Sequence, residues 1–172
     1  MDSHFHIAQV NVGRLVAPTS APEVAEFMAA LEPVNALADS WPGFVWRLQD
    51  ESGDATSLRV FDDDTILINM SVWESIDPLF EFVYKTQHVD YFRRRRQWFE
   101  RFGRPYLALW WIPAGTLPTA EDARERLEHL EAHGPTPYAF TFKKRFSRRG
   151  LLAERPAARS GGAASARGRQ GP

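Results

Sequence analysis

The sequence predicts an α+β domain in which one antiparallel sheet carries helices on one face. Two observations lead to this prediction. Side chains alternate with the period of a strand in four segments, at residues 4–14, 44–50, 65–73 and 106–113. Helical apolar patterns separate the first segment from the second and the third from the fourth. The order strand, helix, strand, strand, helix, strand is that of the ferredoxin-like βαββαβ unit.

The first strand is predicted over His4–Arg14, and its alternation places the amides of Gln9 and Asn11 on one face. The first helix is predicted to begin at Ser20–Glu23, because this stretch has the pattern of a capping box. Pro33 is expected to interrupt that helix, since proline cannot donate a hydrogen bond to the preceding turn.

The second and third strands form a predicted hairpin. In the second strand, Phe44–Asp50, the alternation places Phe44 and Trp46 on the same face, and Thr56–Phe61 is expected to extend the hairpin. The third strand, Thr65–Trp73, has one continuous apolar face and one mixed polar and aromatic face. A mixed face of this kind is typical of a strand that lines a cavity.

The stretch 69–102 organises the rest of the chain. It begins as a strand and continues as a helix for which Ser75 is a plausible N-cap. The apolar stripe then changes side, which predicts a break at Thr86–Gln87 and a second helix beyond it. His88 and Arg95 lie two turns apart in the aromatic stripe of that second helix. They are either core residues with internal partners or part of a ligand pocket.

The last strand is predicted over Tyr106–Pro113. Trp110 and Trp111 are adjacent in it, so they occupy opposite sheet faces, and both faces must accept a large ring. A helix over Thr119–His133 has a narrow apolar stripe and is expected on the surface, while Phe140–Phe142 is predicted as a short edge strand. The simplest cover for the second sheet face is then a second copy of the chain, which predicts a homodimer.

Length and composition bound the class of protein. The 172 residues, with 44% hydrophobic content and six tryptophans, support one domain with a packed core, and the absence of cysteine excludes disulfides and thiolate metal sites. No run approaches the ~20 apolar residues of a membrane span. The N-terminus shows no secretory signal. A cytoplasmic protein without a membrane partner is therefore expected.

Charge divides the chain into two parts. Residues 1–142 carry 12 basic and 21 acidic residues and are interpreted as the folded domain, whereas residues 143–172 carry nine basic residues and one acidic residue. The second part is rich in Arg, Gly and Ala and is predicted to be a disordered tail. Binding to nucleic acid is expected at most as weak non-specific contact through this tail, since the run Arg93–Arg96 points in four directions on a helix.

No metal site is predicted. His4 and His6 share a strand face without acidic partners, and His129 and His133 lie one helical turn apart without an HExxH pattern. The three aspartates at Asp62–Asp64 lack the spaced oxygen ligands of a calcium loop and are interpreted as a solvated turn.

Several motifs together resemble a bacterial family of unknown function within the dimeric α/β-barrel superfamily. The motifs are AQVNVGRL, NALAD, PGFVWRLQD, INMSVWES, FVYKTQHVDYFRRRRQWF, LWWIPAG and GPTPYAFTF. The resemblance spans His4 to Phe142 and implies a dimeric α/β barrel related to antibiotic-biosynthesis monooxygenase-like proteins. In haem-degrading members of the superfamily a strand Asn precedes a Trp and a His on the long helix. Asn11 matches the first, whereas the other two positions fall near Phe82 and Phe92, and His88 lies about a turn before the expected histidine. The chain thus departs from the haem-degrading pattern, and haem binding through His88 stays open.

The candidate site combines amides, a hydroxyl, aromatic rings and two basic side chains. Its catalytic candidates are His88 and Arg95, and its ligand-binding candidates are Asn11, Trp46, Asn69, Ser71, Trp73 and Trp110. Such walls suit a flat, partly polar organic molecule. His88 is suited to act as a general base and Arg95 to hold an anionic oxygen.

Three functions stay open at this point. The first is a monooxygenase-like oxidoreductase that needs no cofactor and acts on an aromatic or polyketide-like metabolite, as the resemblance to cofactor-free oxygenases implies. The second is a non-catalytic dimeric protein that binds a small ligand. The third is a haem-binding protein with His88 as the axial ligand.

Overall fold

The structure is a computed structural model that describes residues 4–50, 63 and 65–149. The described residues form one four-stranded sheet with the spatial order β2-β3-β1-β4, in which all neighbouring strands are antiparallel. The strands are β1 (Phe5–Arg14), β2 (Phe44–Arg47), β3 (Ile66–Trp73) and β4 (Leu107–Pro113). This is the ferredoxin-like order, so the predicted fold class is confirmed. The predicted hairpin extension at Thr56–Phe61 lies outside the described residues.

The described residues also form four α-helices. They are α1 (Ala25–Asp39), α2 (Ile76–Lys85), α3 (His88–Arg94) and α4 (Ala120–His133). The predicted break between α2 and α3 is confirmed. The hydroxyl of Thr86 donates to the carbonyl of Phe82 at 2.6 Å and accepts from the backbone N–H of His88 at 3.2 Å, so this side chain serves the end of one helix and the start of the next.

The start and interior of α1 differ from the prediction. Ala21, not Ser20, is the N-cap of a 3-10 turn at Pro22–Val24 that leads into α1, and no side-chain hydrogen bond caps this turn. Pro33 lies inside α1 without ending it. Pro33 and Ala29, one turn before it, are both exposed, so water can satisfy the carbonyl that proline leaves without a donor.

The strand register determines which side chains face the helices. Gln9 is paired with Ser71 and Asn11 with Asn69, so these four polar residues share one sheet face. The same face carries Trp73, which packs against Phe82 of α2 with the ring centroids 5.3 Å apart. The mixed face of β3 therefore lies beneath the helices, as expected for a strand that lines a cavity.

A register shift in β2 corrects one sequence prediction. The pairing with β3 is irregular between Phe44 and Trp46, so Phe44 pairs with Trp73 whereas Trp46 pairs with Val72 on the opposite face. The prediction that Phe44 and Trp46 share a face is therefore wrong. A β-bulge adds one residue to a strand and reverses the alternation beyond it, which a regular period cannot anticipate.

The second sheet face is covered by the chain's own α4. Trp110 is only 1% exposed and clusters with Leu127 and Leu130 of α4. The expectation that another molecule must cover this face is therefore wrong. The apolar residues of α4, although few, are sufficient to bury the centre of the sheet. The homodimer stays a prediction, but it no longer follows from exposed sheet residues.

Packing continues beyond the predicted domain boundary at residue 142. Phe140 forms a single bridge with Leu109, with backbone hydrogen bonds of 2.8 and 2.9 Å, in place of the predicted edge strand. Further on, the carbonyl of Phe146 accepts a hydrogen bond from the indole of Trp111 at 2.8 Å. Residues 150–172 of the predicted tail lie outside the described residues. Among the residues that are described, no helix is both long and apolar enough to cross a membrane.

Candidate active site

A cavity of about 1130 Å³ lies between the sheet and helices α1 to α3. Its floor carries the polar residues of β1 and β3, namely Gln9, Asn11, Asn69 and Ser71. Its walls combine aliphatic and aromatic side chains, and the aromatic ones include Phe27, Phe44, Trp73, Phe82, Tyr84, Tyr91, Phe92, Phe99 and Tyr106. A floor of amides between aromatic walls is typical of a site for a flat organic molecule.

The structure brings six of the eight predicted site residues together. Lining the cavity are Asn11, Asn69, Ser71, Trp73, His88 and Arg95. The two other predicted residues, Trp46 and Trp110, pack in the cluster on the opposite sheet face, so neither forms a wall of this cavity. For Trp46 the cause is the β-bulge in β2, and for Trp110 it is the cover that α4 provides.

A chain of hydrogen bonds runs along the cavity floor. The indole N–H of Trp73 donates to the hydroxyl of Ser71 at 2.9 Å, and that hydroxyl donates to the side-chain carbonyl of Gln9 at 2.9 Å. Gln9 and Ser71 are only 4% and 8% exposed. The carbonyl of Gln9 accepts the hydrogen bond from Ser71. A bound molecule can therefore interact with the amide nitrogen of Gln9, which donates. Sequence analysis placed this amide on the right strand but did not select it for the site.

His88 lines the cavity as a partly buried imidazole. Its Nδ1 lies 3.4 Å from the carbonyl oxygen of Val83, which can only accept, so this contact favours the tautomer with the proton on Nδ1. The lone pair then lies on Nε2. The ring packs against Phe82 with 5.3 Å between centroids. Burial lowers the pKa of His88, and the contact with Val83 opposes this only partly, so the imidazole is neutral near neutral pH.

The lowered pKa of His88 predicts that acid destabilises the fold. The ordinary pKa is 6.5, so below that pH the unfolded chain binds a proton that the folded chain resists. Stability from the neutral imidazole is complete above pH 6.5 and is lost as the pH falls toward the lower pKa of the folded state. Denaturant titrations between about pH 5 and 8 should show a steeper rise of unfolding free energy with pH for wild type than for His88→Gln. Equal slopes would contradict this assignment.

Arg95 is a partly buried cation among aromatic rings. Its guanidinium carbon lies 4.5 Å from the ring centroid of Phe92 and 5.1 Å from that of Tyr106. In the described part of the chain, no carboxylate lies within ion-pairing distance of it. The neighbouring Arg94 instead pairs with Glu26 on the surface, at 2.6 and 2.7 Å.

Two cavity residues that sequence analysis missed are Arg47 and Tyr84. Arg47 lines the cavity because the bulge in β2 turns it toward the helices, and it pairs with Asp39 of α1 at 2.8 Å. Burial raises the pKa of Tyr84, so its phenol stays protonated and can donate a hydrogen bond. No periodic signal identifies Arg47. Tyr84, by contrast, is visible in the sequence as an aromatic residue four positions before His88.

Histidines and acidic side chains do not converge on a metal site in the part of the chain that the structure describes. Within residues 4–50, 63 and 65–149, no cluster of three or more His, Asp or Glu side chains is arranged to hold a metal ion. On α4 the rings of His129 and His133 lie 4.7 Å apart, and Nε2 of His129 contacts the hydroxyl of Thr136 at 2.8 Å.

The strand order and the cavity between sheet and helices define a ferredoxin-like α+β protein with room for a small organic ligand. The chain belongs to the family of the domain of unknown function DUF3291, whose profile matches residues 6–155. The expected membership in a family of unknown function is thus confirmed, and the match extends past residue 142. No curated protein matches the sequence.

Several solved structures are similar to this chain. SnoaB of Streptomyces nogalater, described as a cofactor-independent oxygenase and solved as a mutant, is 20% identical with a TM-score of 0.41, covering 66% of this chain and 98% of its own. PA3566 of Pseudomonas aeruginosa is 12% identical with a TM-score of 0.43, covering 67% and 98%. A conserved protein of Methanosarcina mazei Go1 is 13% identical with a TM-score of 0.43, covering 64% and 93%. These likenesses concern the fold, and a fold alone transfers no reaction.

Proposed function

We propose that this protein is an enzyme that binds a flat aromatic metabolite and removes a proton from it, so that the substrate itself reacts with dioxygen. The observation that carries the proposal is the partly buried, neutral His88, whose contact with Val83 leaves the Nε2 lone pair to accept a proton at the cavity wall. A general base is most effective when it is deprotonated at the working pH, as this imidazole is.

The reaction requires no cofactor. Loss of a proton from a C–H group next to a ring or carbonyl leaves an electron-rich carbanion or enolate, which transfers electrons to dioxygen. In balanced form, a CH2 group and O2 yield a C=O group and water. The amides of Gln9, Asn11 and Asn69 line the same cavity and are suited to stabilise the enolate oxygen as its charge develops.

Oxygen consumption tests the proposal. Purified protein is mixed with a panel of phenols, naphthols and anthrones in an oxygen electrode, and products are analysed by mass spectrometry after reaction under ¹⁸O2. We expect at least one anthrone or naphthol to consume oxygen and to gain one labelled oxygen atom. If a bound molecule copurifies and is recovered unchanged after aerobic incubation, while no panel member turns over, the protein is a binding module and not an oxygenase.

The same lone pair on His88 supports a second candidate function, haem binding. A neutral imidazole nitrogen that faces a cavity is also the usual axial ligand of haem iron. Haemin titration separates the two candidates: a Soret shift in wild type that disappears in His88→Gln would favour haem binding. An unchanged spectrum would dismiss it.

A further inference from the structure

We infer that the ligand of this cavity is an elongated aromatic carboxylate, with its carboxylate held by Arg95 at one end and its other end beside His88. Carboxylate recognition stands on the geometry of Arg95 alone. Only one part of the inference rests on the proposed function, namely that the end of the ligand beside His88 is the end that reacts.

The first argument is the state of Arg95. A guanidinium that is partly withdrawn from water loses hydration and needs an anion or acceptors in return. Here Phe92 and Tyr106 lie 4.5 and 5.1 Å from its central carbon, and no described carboxylate pairs with it. Aromatic rings contact the flat face of a guanidinium and leave its N–H edge free, which is the edge that binds a carboxylate through two hydrogen bonds.

The second argument is the charge around the cavity. Among the residues that the structure describes, its charged lining consists of five arginines and one acid: Arg47, Arg95, Arg96, Arg101, Arg104 and Glu100. Arg47 is paired with Asp39, Arg104 also has an interaction partner, and His88 is neutral, so the positive excess of the described lining comes from Arg95, Arg96 and Arg101 against Glu100. A cleft lined by one sign of charge concentrates ligands of the opposite sign. An anionic ligand is therefore favoured over a neutral or cationic one.

The third argument is the distance between the two ends. Arg95 follows His88 by seven residues, which on a helix corresponds to about 10 Å. His88 packs on Phe82, which packs on Trp73, a residue opposite Ile7 at the start of β1. The guanidinium lies instead over Tyr106, whose carbonyl accepts from the N–H of Val12 near the end of β1.

The two side chains thus mark different ends of the same cavity. A ligand that reaches both must be long, and the aromatic rings between them favour a planar one. A fused aromatic system with a carboxylate at one end meets all three requirements: charge, length and shape.

The test compares two probes that differ in one group, anthracene-2-carboxylate and anthracene-2-carboxamide. Binding to wild type, Arg95→Gln, Arg95→Lys and Arg93→Gln is followed by tryptophan fluorescence and by calorimetry. Arg93 is the matched control, because it is an exposed arginine in α3, two residues before Arg95, and does not line the cavity. We expect wild type and Arg93→Gln to prefer the carboxylate by about tenfold or more. Arg95→Gln should lose this preference, and Arg95→Lys should keep part of it.

Benzoate tests the length requirement, since it can occupy Arg95 without reaching His88. We expect it to bind wild type at least about tenfold more weakly than anthracene-2-carboxylate. Equal affinity of wild type for the carboxylate and the carboxamide, including no binding of either, would overturn the inference, as would an undiminished preference in both Arg95 variants. Carboxylate preference without oxygen consumption would remove the proposed function only, whereas oxygen consumption without carboxylate preference would remove this inference only.

Discussion

Replacement of His88 by Gln is expected to lower the rate of oxygen consumption by about 100-fold or more, the usual contribution of a general base. Gln is close to His in size and can keep a hydrogen bond to Val83, whose carbonyl lies 3.4 Å from Nδ1, but its amide does not take up a proton near neutral pH. The affinity for an aromatic carboxylate should change little, because Arg95 is untouched. The measurement is kcat and KM with a substrate found in the oxygen-electrode panel.

His133→Gln is the matched control, since His133 is an exposed histidine at the end of α4 and does not line the cavity. It should leave both kinetic constants unchanged. Because burial lowers the pKa of His88, the wild-type rate should hold to a lower pH than an ordinary imidazole would allow, and His88→Gln should lack this acid limb. A variant rate within a factor of about two or three of wild type would exclude His88 as the base.

Replacement of Trp110 by Ala is expected to lower the free energy of unfolding by about 3–5 kcal/mol. Trp110 is 1% exposed, lies between the sheet and α4, and has the guanidinium of Arg126 5.6 Å from its ring. Truncation removes a large buried ring and leaves a cavity that α4 cannot fill without moving. Urea unfolding followed by circular dichroism measures the change, with Leu117→Ala as control. Leu117 is 56% exposed, so its loss should cost within about 0.5 kcal/mol.

The same experiment distinguishes cover by α4 from cover by a second chain. If α4 buries Trp110, burial of this sheet face should not make the unfolding midpoint of wild type depend on protein concentration. A wild-type midpoint that falls steeply on dilution, with a dependence on concentration that disappears in Trp110→Ala, would show that the sheet is covered between copies and not within one.

The sequence was sufficient for the features that follow from regular periods. Alternation along β1 and β3 predicted that Asn69 and Ser71 share one face of their strand and that Asn11 lies on the same face as Gln9, because a strand reverses its side chain at every residue. That both faces point toward the helices is a result of the structure. The change of apolar face predicted the break at Thr86–Gln87, since one straight helix cannot bury two sides. The same change of face led to the prediction that His88 and Arg95 are candidates for a ligand pocket, and both line the cavity.

The features that failed depend on departures from regular periods or on tertiary contacts. The bulge in β2 exchanged the faces of Trp46 and Arg47, and no residue type at that point predicts a bulge. The helix α4 shows few apolar residues in sequence, yet Ala123, Leu127 and Leu130 are all buried on the sheet. A small residue can be as effective as a large one where a helix approaches a sheet closely, so stripe width alone underestimates what a helix covers.

The short backbone pairing of Phe140 with Leu109 has a consequence for self-association. An unprotected outer strand offers its N–H and C=O groups to another molecule and invites intermolecular strand addition or domain swapping. Here the returning C-terminal segment already occupies those groups of Leu109 through hydrogen bonds of 2.8 and 2.9 Å. The protein therefore interrupts continuous strand addition along the outer edge of β4 with its own chain at Leu109.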